Sequence, residues 1–239
     1  MKALVLLSGG LDSTTCLGMA VGRHGPEQVG AVSFAYGQKH ARELDLGEQI
    51  AAYYNIERQV IALPHEVFAG GSSTLVEGGP ANPTGSYADL PPGVSPTYVP
   101  YRNGNLLSMA AAVAQKAQSR NPFESVVELW FGAHAEDAEG WAYPDCTPEF
   151  IGSMANAIYV GTYHAVRLVT PLEWLTKAQV VRQGLALDVP YYLTMSCYNG
   201  TVPACGKCPT CISRIAAFKD NGVDDPIEYA SFTNAQIVR

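Results

Sequence analysis

The sequence predicts an α/β protein: a doubly wound, mostly parallel sheet with a small metal-binding helical segment at the C-terminus. Short apolar runs alternate with helical stretches of ten or more residues, the pattern of a parallel sheet with crossover helices. The first apolar run breaks into "SGGLDSTT" (8–15) just before an apolar helix. Four cysteines crowd between positions 197 and 211 and carry the C-terminal part of the prediction.

Taken in order, "KALVLL" (2–7) reads as a strand covered on both faces. A helix follows, with Asp12 or Ser13 able to cap it and Leu17, Met19 and Ala20 turned inward. "QVGAVSFAY" (28–36) is a second strand, and "HARELDLGEQIAAYY" (40–54) has helical periodicity. "ERQVIAL" (57–63) is a third strand. The pattern then breaks at 70–100, a stretch rich in glycine and proline. So long a connection inside one domain reads as a cover over a site, a contact with another subunit, or a tolerated insertion. Order returns with a helix beginning near Asn103 or Asn105, a strand over 125–134 and a helix over 148–163. A strand over 166–172, a helix over 176–187 and a helix within 211–222 complete the chain. The expected division is 1–190 for the sheet domain and 191–239 for a cysteine-bearing segment packed on it.

A chain of 239 residues suits one α/β domain with a small appendage. The net charge of -7 and the lack of any Lys/Arg run argue against stable sequestration of nucleic acid by bulk charge, and favour a small-molecule substrate. No apolar run approaches the ~18 residues of a membrane span. The N-terminus lacks the features of a signal peptide, so the expected location is cytoplasmic.

A strand that ends in Ser-Gly-Gly and turns into a helix leaves backbone N–H groups at the positive helix end, which makes an anion site. Glycines let the backbone approach a bulky anion, and Ser8, Ser13 and Thr14 add hydroxyls. The stretch fits neither GxxxxGK[ST] nor GxGxxG. Gly-Gly serving chain geometry alone is the competing reading. Cys197, Cys205, Cys208 and Cys211, at spacings of seven, two and two residues, suit tetrahedral Zn²⁺ with no open position, hence a structural site. An iron–sulfur cluster or persulfide chemistry are the rivals. Cys16 reads as core, while Cys146 in "YPDC" is placed to approach a site.

"SGGLDS" resembles the PP-loop of the N-type ATP pyrophosphatases, enzymes of adenine nucleotide alpha hydrolase-like fold that cleave ATP between the α and β phosphates. The resemblance implies that Ser8, Gly9, Gly10, Leu11, Asp12, Ser13 and Thr14 hold ATP's outer phosphates, with Asp12 either serving Mg²⁺ or capping the helix. Phe34 and Tyr36 would line the adenine site, and Lys177 would stabilise phosphate charge; an exposed helix lysine is the plain alternative. "AYGQKHARELD", "VPYRN", "YPDCTPEF", "PLEWLTKAQVV", "TMSCY" and "CGKCPTC..R" extend the likeness over 8–214, in order, to the 7-cyano-7-deazaguanine synthase family, QueC.

That family resemblance implies a ligase using ATP, Mg²⁺, structural Zn²⁺, 7-carboxy-7-deazaguanine and ammonia, assembled as a homodimer. Lys177, Asp12 and Arg102 would be catalytic, Arg102 by clamping the substrate carboxylate. Tyr101, Asn103, Gln38, His40, Asp137, Asp145 and Arg214 would line the substrate pocket, with Glu149 a weaker candidate and Asp145 reading guanine-like N–H groups. Arg214 has a plainer alternative, pairing with an acid. Three departures fall near the expected pocket: Tyr101 where the family carries glycine, Thr147 where arginine is common, and a segment at 135–143 about two residues longer. They leave open an enzyme that stops at the amide or couples the deazapurine to another amine. A sulfur-transferring tRNA-modifying enzyme and a non-catalytic zinc- and nucleotide-binding module are the remaining alternatives.

Overall fold

The computed structural model describes residues 1–39, 42–69, 71–118 and 125–230. Five parallel strands form one sheet: β1 (Ala3–Leu6), β2 (Val29–Ala35), β3 (Glu57–Ala62), β4 (Val127–Trp130) and β5 (Val166–Val169). Their order is β3-β2-β1-β4-β5, with Val5 facing Ala31 on one side and Trp130 on the other. The chain winds outward from β1 to β3 and then crosses to the other side of β1. The carboxyl ends of β1, β2 and β4 therefore meet at the switch point where doubly wound sheets bind ligands.

Seven α-helices lie among the described residues: α1 (Leu11–His24), α2 (Arg42–Tyr53), α3 (Arg102–Lys116), α4 (Ala135–Ala138), α5 (Pro148–Gly161), α6 (Lys177–Ala186) and α7 (Pro209–Asp220). β1 explains why its sequence is apolar throughout. Ala3, Val5 and Leu7 enter one core with Leu17, Val181 and Phe218, while Leu4 and Leu6 enter a second with Leu107 and Ile158. Phe218 places α7, at the end of the cysteine segment, in the same core as α1 and α6. At the sheet edge, β3 carries Glu57 and Arg58 and is largely exposed, as suits an edge strand that must not pair with another chain.

The expected elements are present with shorter ends. The strand expected to reach His134 stops at Trp130, because Gly132 must pass against the start of α1; a Cβ there would lie 3.2 Å from the Asp12 carbonyl carbon and the Ser13 nitrogen. The strand expected to reach Leu172 ends at Val169. Gly10, not Asp12 or Ser13, takes the N-cap position of α1, and Tyr101, not an asparagine, takes that of α3. Met19 is only half-buried, whereas Leu17 and Ala20 are fully enclosed.

Candidate active site

The Ser-Gly-Gly turn, the expected anion site, follows β1 directly. Gly9 has φ +83°, and a Cβ there would lie 2.6 Å from the Glu43 carbonyl oxygen, so only glycine lets the first turn of α2 pack on the loop. The serine hydroxyls hold the loop's shape. Ser13 Oγ accepts from the Ser8 amide at 3.2 Å, Ser8 Oγ accepts from the Gly10 amide at 3.3 Å, and Thr14 Oγ1 donates to the Gly10 carbonyl at 2.8 Å. The Thr14 amide makes the first intrahelical bond, to Gly10, so those of Leu11, Asp12 and Ser13 precede it at the positive helix end.

A cavity of about 290 Å³ opens over this turn. Ser8, Gly10, Leu11, Asp12 and Ser13 form its floor, while Gly9 and Thr14 stand behind it and shape the loop. Phe34, Tyr36 and Gln38 enter from the end of β2, Arg102 and Asn103 from the first turn of α3, and Lys177 from the first turn of α6. Thr176 orients that last turn with a reciprocal bond to Gln179, and the Lys177 amide donates to Glu136 Oε1 at 2.7 Å. The cavity thus gathers lysine, arginine and carboxylates from four widely separated segments.

Lys177 is buried, not the exposed helix lysine of the plainer reading. Its Nζ lies 2.6 Å from Asp12 Oδ2 and 3.0 Å from His134 Nε2. Burial opposes ionisation of Asp12, but Lys177 and His134 hold the carboxyl below its ordinary range. Asp12 Oδ1 is buried without a protein partner among the described residues. An orphaned carboxylate oxygen beside an anion-binding turn fits a Mg²⁺ ion shared with bound phosphates.

Four expected substrate contacts lie off the cavity wall. Arg214 is fully buried and paired bidentately with Asp225, at 2.7 and 3.0 Å, and it donates to Thr194 Oγ1 and the Tyr191 carbonyl. Its donors are spent on fastening α7 to the preceding loop. Asp145 is also buried; its Oδ2 accepts from the Asn103 amide at 2.9 Å and so holds the start of α3. Glu149 is exposed. Tyr101 is 56 % exposed, with its ring edge-on to Phe150 at 5.9 Å. Asp137 lines the cavity, 3.4 Å from His134 Nε2. His40 lies outside the described residues.

Two of the sequence departures have local explanations. Tyr101 has φ +52°, the left-handed region that glycine occupies without strain. Thr147 caps α5, its Oγ1 accepting from the Phe150 amide at 3.3 Å.

The sequence reading passed over Glu43, His134 and a group of tyrosines. Glu43, in the first turn of α2, faces the cavity, and burial pushes its carboxyl up to about 7 against the pull of Arg102. Both Glu43 and His134 follow strands at the carboxyl edge, a position that topology would have flagged. Tyr87 and Tyr143 meet Tyr198 through their hydroxyls, at 2.6 and 3.0 Å, and Tyr143 also bonds Thr97. The Gly/Pro-rich stretch is therefore a wall of the cavity, anchored by Val76, Thr97 and Val99 in the interior and by Asn82 Nδ2 donating to the Tyr198 carbonyl. Cys146 also reaches the cavity; Asn103 Nδ2 lies 3.2 Å from its sulfur, and burial raises its pKa well above the ordinary value. Cys16 is core, as expected.

The sulfurs of Cys197, Cys205, Cys208 and Cys211 are buried and lie within 4.8 Å of one another. Tetrahedral zinc with bonds of ~2.3 Å sets its sulfurs about 3.8 Å apart, close to the 4.0 Å between Cys205 and Cys211. Such a soft donor set suits a thiophilic cation. The segment is tied to the phosphate turn by the Met195 amide, which donates to the Gly9 carbonyl at 3.1 Å.

Comparison with known proteins agrees with this geometry. Residues 2–222 match the family described as queuosine biosynthesis protein QueC. A 7-cyano-7-deazaguanine synthase of Thermoplasma acidophilum is 40% identical, covering 97% of this chain and 93% of that protein. One from Oceanobacillus iheyensis is 41% identical, covering 95% and 98%. A solved structure, a predicted subunit of a tRNA methyltransferase from Methanocaldococcus jannaschii, shares the fold at TM-score 0.50 and 16% identity, covering 99% of this chain and 94% of that one. With the match running through the phosphate turn, the cavity walls and the cysteine segment, the chain belongs to the QueC family.

Proposed function

We propose that the chain is a 7-cyano-7-deazaguanine synthase, an ATP-dependent ligase that joins ammonia to 7-carboxy-7-deazaguanine and dehydrates the amide to the nitrile. The observation that carries this reading is the buried Asp12–Lys177 pair at the phosphate turn, in one cavity with Arg102, in a chain of this family. The turn amides hold the β and γ phosphates. Lys177 steadies negative charge as pyrophosphate leaves the α phosphorus. Arg102 presents a guanidinium that pairs with a carboxylate through two parallel hydrogen bonds, holding the acid against the α phosphate. Its Nη1 donates to the Tyr36 hydroxyl at 3.2 Å, which fixes its direction. Phe34 and Tyr36 border the adenine. Asn103 and Gln38 shape the remaining wall, although Gln38 Oε1 already accepts from the Tyr36 amide.

Asp12 Oδ1 would help hold a Mg²⁺ ion, which would supply charge neutralisation at the phosphates. Cys197, Cys205, Cys208 and Cys211 would hold a structural Zn²⁺ that fixes the C-terminal segment, four protein ligands leaving no position for substrate. Homodimer assembly and a cytoplasmic location complete the reading and are tested by sedimentation and fractionation. Tyr101 lies outside the cavity lining, so the substitution at the glycine position leaves the pocket wall intact and favours the full route to the nitrile over a stop at the amide. Sulfur transfer would need a reactive thiol, and burial holds Cys146 protonated.

The test is mass analysis of 7-carboxy-7-deazaguanine incubated with enzyme, ATP, Mg²⁺ and ammonium. Conversion to the nitrile with two AMP per product is expected. An untouched carboxylate while ATP turns over with another acid would overturn the substrate assignment.

A further inference from the structure

The chemistry proposed above sheds protons from nitrogen. When ammonia attacks the acyl adenylate, a C–N bond forms, the C–O bond to AMP breaks, and one N–H proton must leave to give the neutral amide. When the amide oxygen attacks the α phosphorus of a second ATP, pyrophosphate leaves. Loss of AMP from the adenylylated amide then forms C≡N and releases two more N–H protons. Ammonia is also mostly ammonium at neutral pH, and ammonium has no lone pair. A proton acceptor is needed within reach of the carbon that Arg102 would hold.

Three carboxylates line the cavity: Asp12, Glu43 and Asp137. Asp12 is occupied by Lys177 at 2.6 Å, and Asp137 lies 3.4 Å from His134 Nε2. Glu43 forms no ion pair within 4.0 Å among the described residues, and it lines the same cavity as Arg102. Arg102 is the cation whose field acts on it, and Glu43 in turn acts on Tyr36, which Arg102 contacts. Its placement is enforced by the backbone: the Gly9 position leaves no room for a Cβ against the Glu43 carbonyl, so the first turn of α2 is clamped to the phosphate turn. The residue's backbone is thereby fixed beside the glycine turn, on the lining of the cavity that Arg102 also enters.

We propose that Glu43 is the proton acceptor for the nitrogen steps: it draws ammonium into the cavity and takes one proton to free the lone pair, passes that proton to solvent, and takes the second N–H proton as the C–N bond forms and AMP leaves. This rests on the reading of Arg102 as the carboxylate clamp. The cavity that Glu43 lines also holds Arg102 from α3, Tyr36 from the end of β2, Lys39, and Asp12 and Lys177 at the floor. Lys39 is engaged elsewhere, its Nζ donating to the Gly79 and Pro80 carbonyls at 3.0 and 2.7 Å. Among the described residues Arg102 is the cation whose field acts on Glu43, and the acid's elevated affinity for protons matches a base working near neutrality. After the first transfer Glu43 returns its proton to solvent, which resets it for the second step.

Glu43→Gln keeps the shape and removes the acceptor. Acid-dependent exchange of pyrophosphate into ATP, which reports adenylation alone, is expected to stay within threefold of wild type. Trapping of the adenylate by hydroxylamine, which is largely unprotonated at neutral pH, is expected to persist as well. Ammonia-dependent amide formation is expected to fall by ~10²-fold or more. Glu43→Asp, with the carboxylate drawn back by one methylene, is expected to fall about tenfold and serves if the glutamine variant is insoluble. Ammonia-dependent turnover within threefold of wild type in both variants overturns the proposal. So does loss of pyrophosphate exchange in both, which would make Glu43 a binding group only. Absence of acid-dependent exchange in the wild-type enzyme is a different failure, of the substrate reading itself, and removes the Glu43 role with it.

Discussion

The floor and the far wall of the cavity are built in opposite ways. The floor comes from one run of chain, Ser8 to Ser13, whose fixing hydrogen bonds span five positions or fewer. The far wall joins Tyr87, Tyr143 and Tyr198, with 111 positions between the first and last of these hydroxyl partners. A contiguous turn can be recognised from its own chemistry. A wall assembled from remote segments becomes visible only once the chain is folded.

The sharpest way to test the floor is to remove its cation. Lys177→Met is expected to lower AMP release by ~10²- to 10³-fold, measured by separating nucleotides from a timed reaction. Near-wild-type release would remove Lys177 from the phosphate chemistry. For the wall and its metal-bearing support, Cys208→Ser is expected to lower zinc content and soluble yield, read by elemental analysis of the purified protein. Unchanged stoichiometry would move the metal elsewhere. Arg214 tests whether the region behind the wall is scaffold or site. Arg214→Met leaves Asp225 buried without its partner and is expected to cost ~3–5 kcal/mol in denaturant unfolding, with little change in KM. A raised KM at unchanged stability would return Arg214 to the pocket.

Glu43 gives a smaller effect with a definite sign. Its folded carboxyl titrates near 7 against an ordinary value of 4.5, so the folded state holds the proton more tightly than the unfolded one. Its contribution is fully present below pH 4.5 and is lost as pH rises to 7. Glu43→Gln should gain thermal stability relative to wild type above pH 7, and the gap should close below pH 4.5. A constant gap across that range would show that Glu43 titrates normally. The smallest change is expected outside the cavity, at the start of α3. Tyr101→Gly relieves ~1–2 kcal/mol of left-handed strain but forfeits an aromatic contact of ~0.5–1.5 kcal/mol, for a Tm close to wild type. A large loss would mean that the ring supports α3.

The floor, the order of the elements and the cysteine cluster were legible because each is local: an apolar run, a break at Gly-Gly, a thiol spacing. Lys177 and Arg102 were found through resemblance, and spacing alone left Lys177 as an exposed helix residue. Arg214 and Asp145 were misplaced because a charged residue near a motif reads as functional until its partner is known, and Asp225 and the Asn103 amide are such partners. Tyr101 looked like a change to the pocket. It is a change of backbone comfort, since only φ reveals why glycine is preferred there.

The hydrogen bond from Met195 to the Gly9 carbonyl has a reach beyond its length. It stitches the segment that bears the four cysteines to a peptide of the glycine turn proposed to cradle the nucleotide. With the four cysteines as the proposed zinc site, stripping the metal is expected to weaken ATP binding while the sheet stays folded.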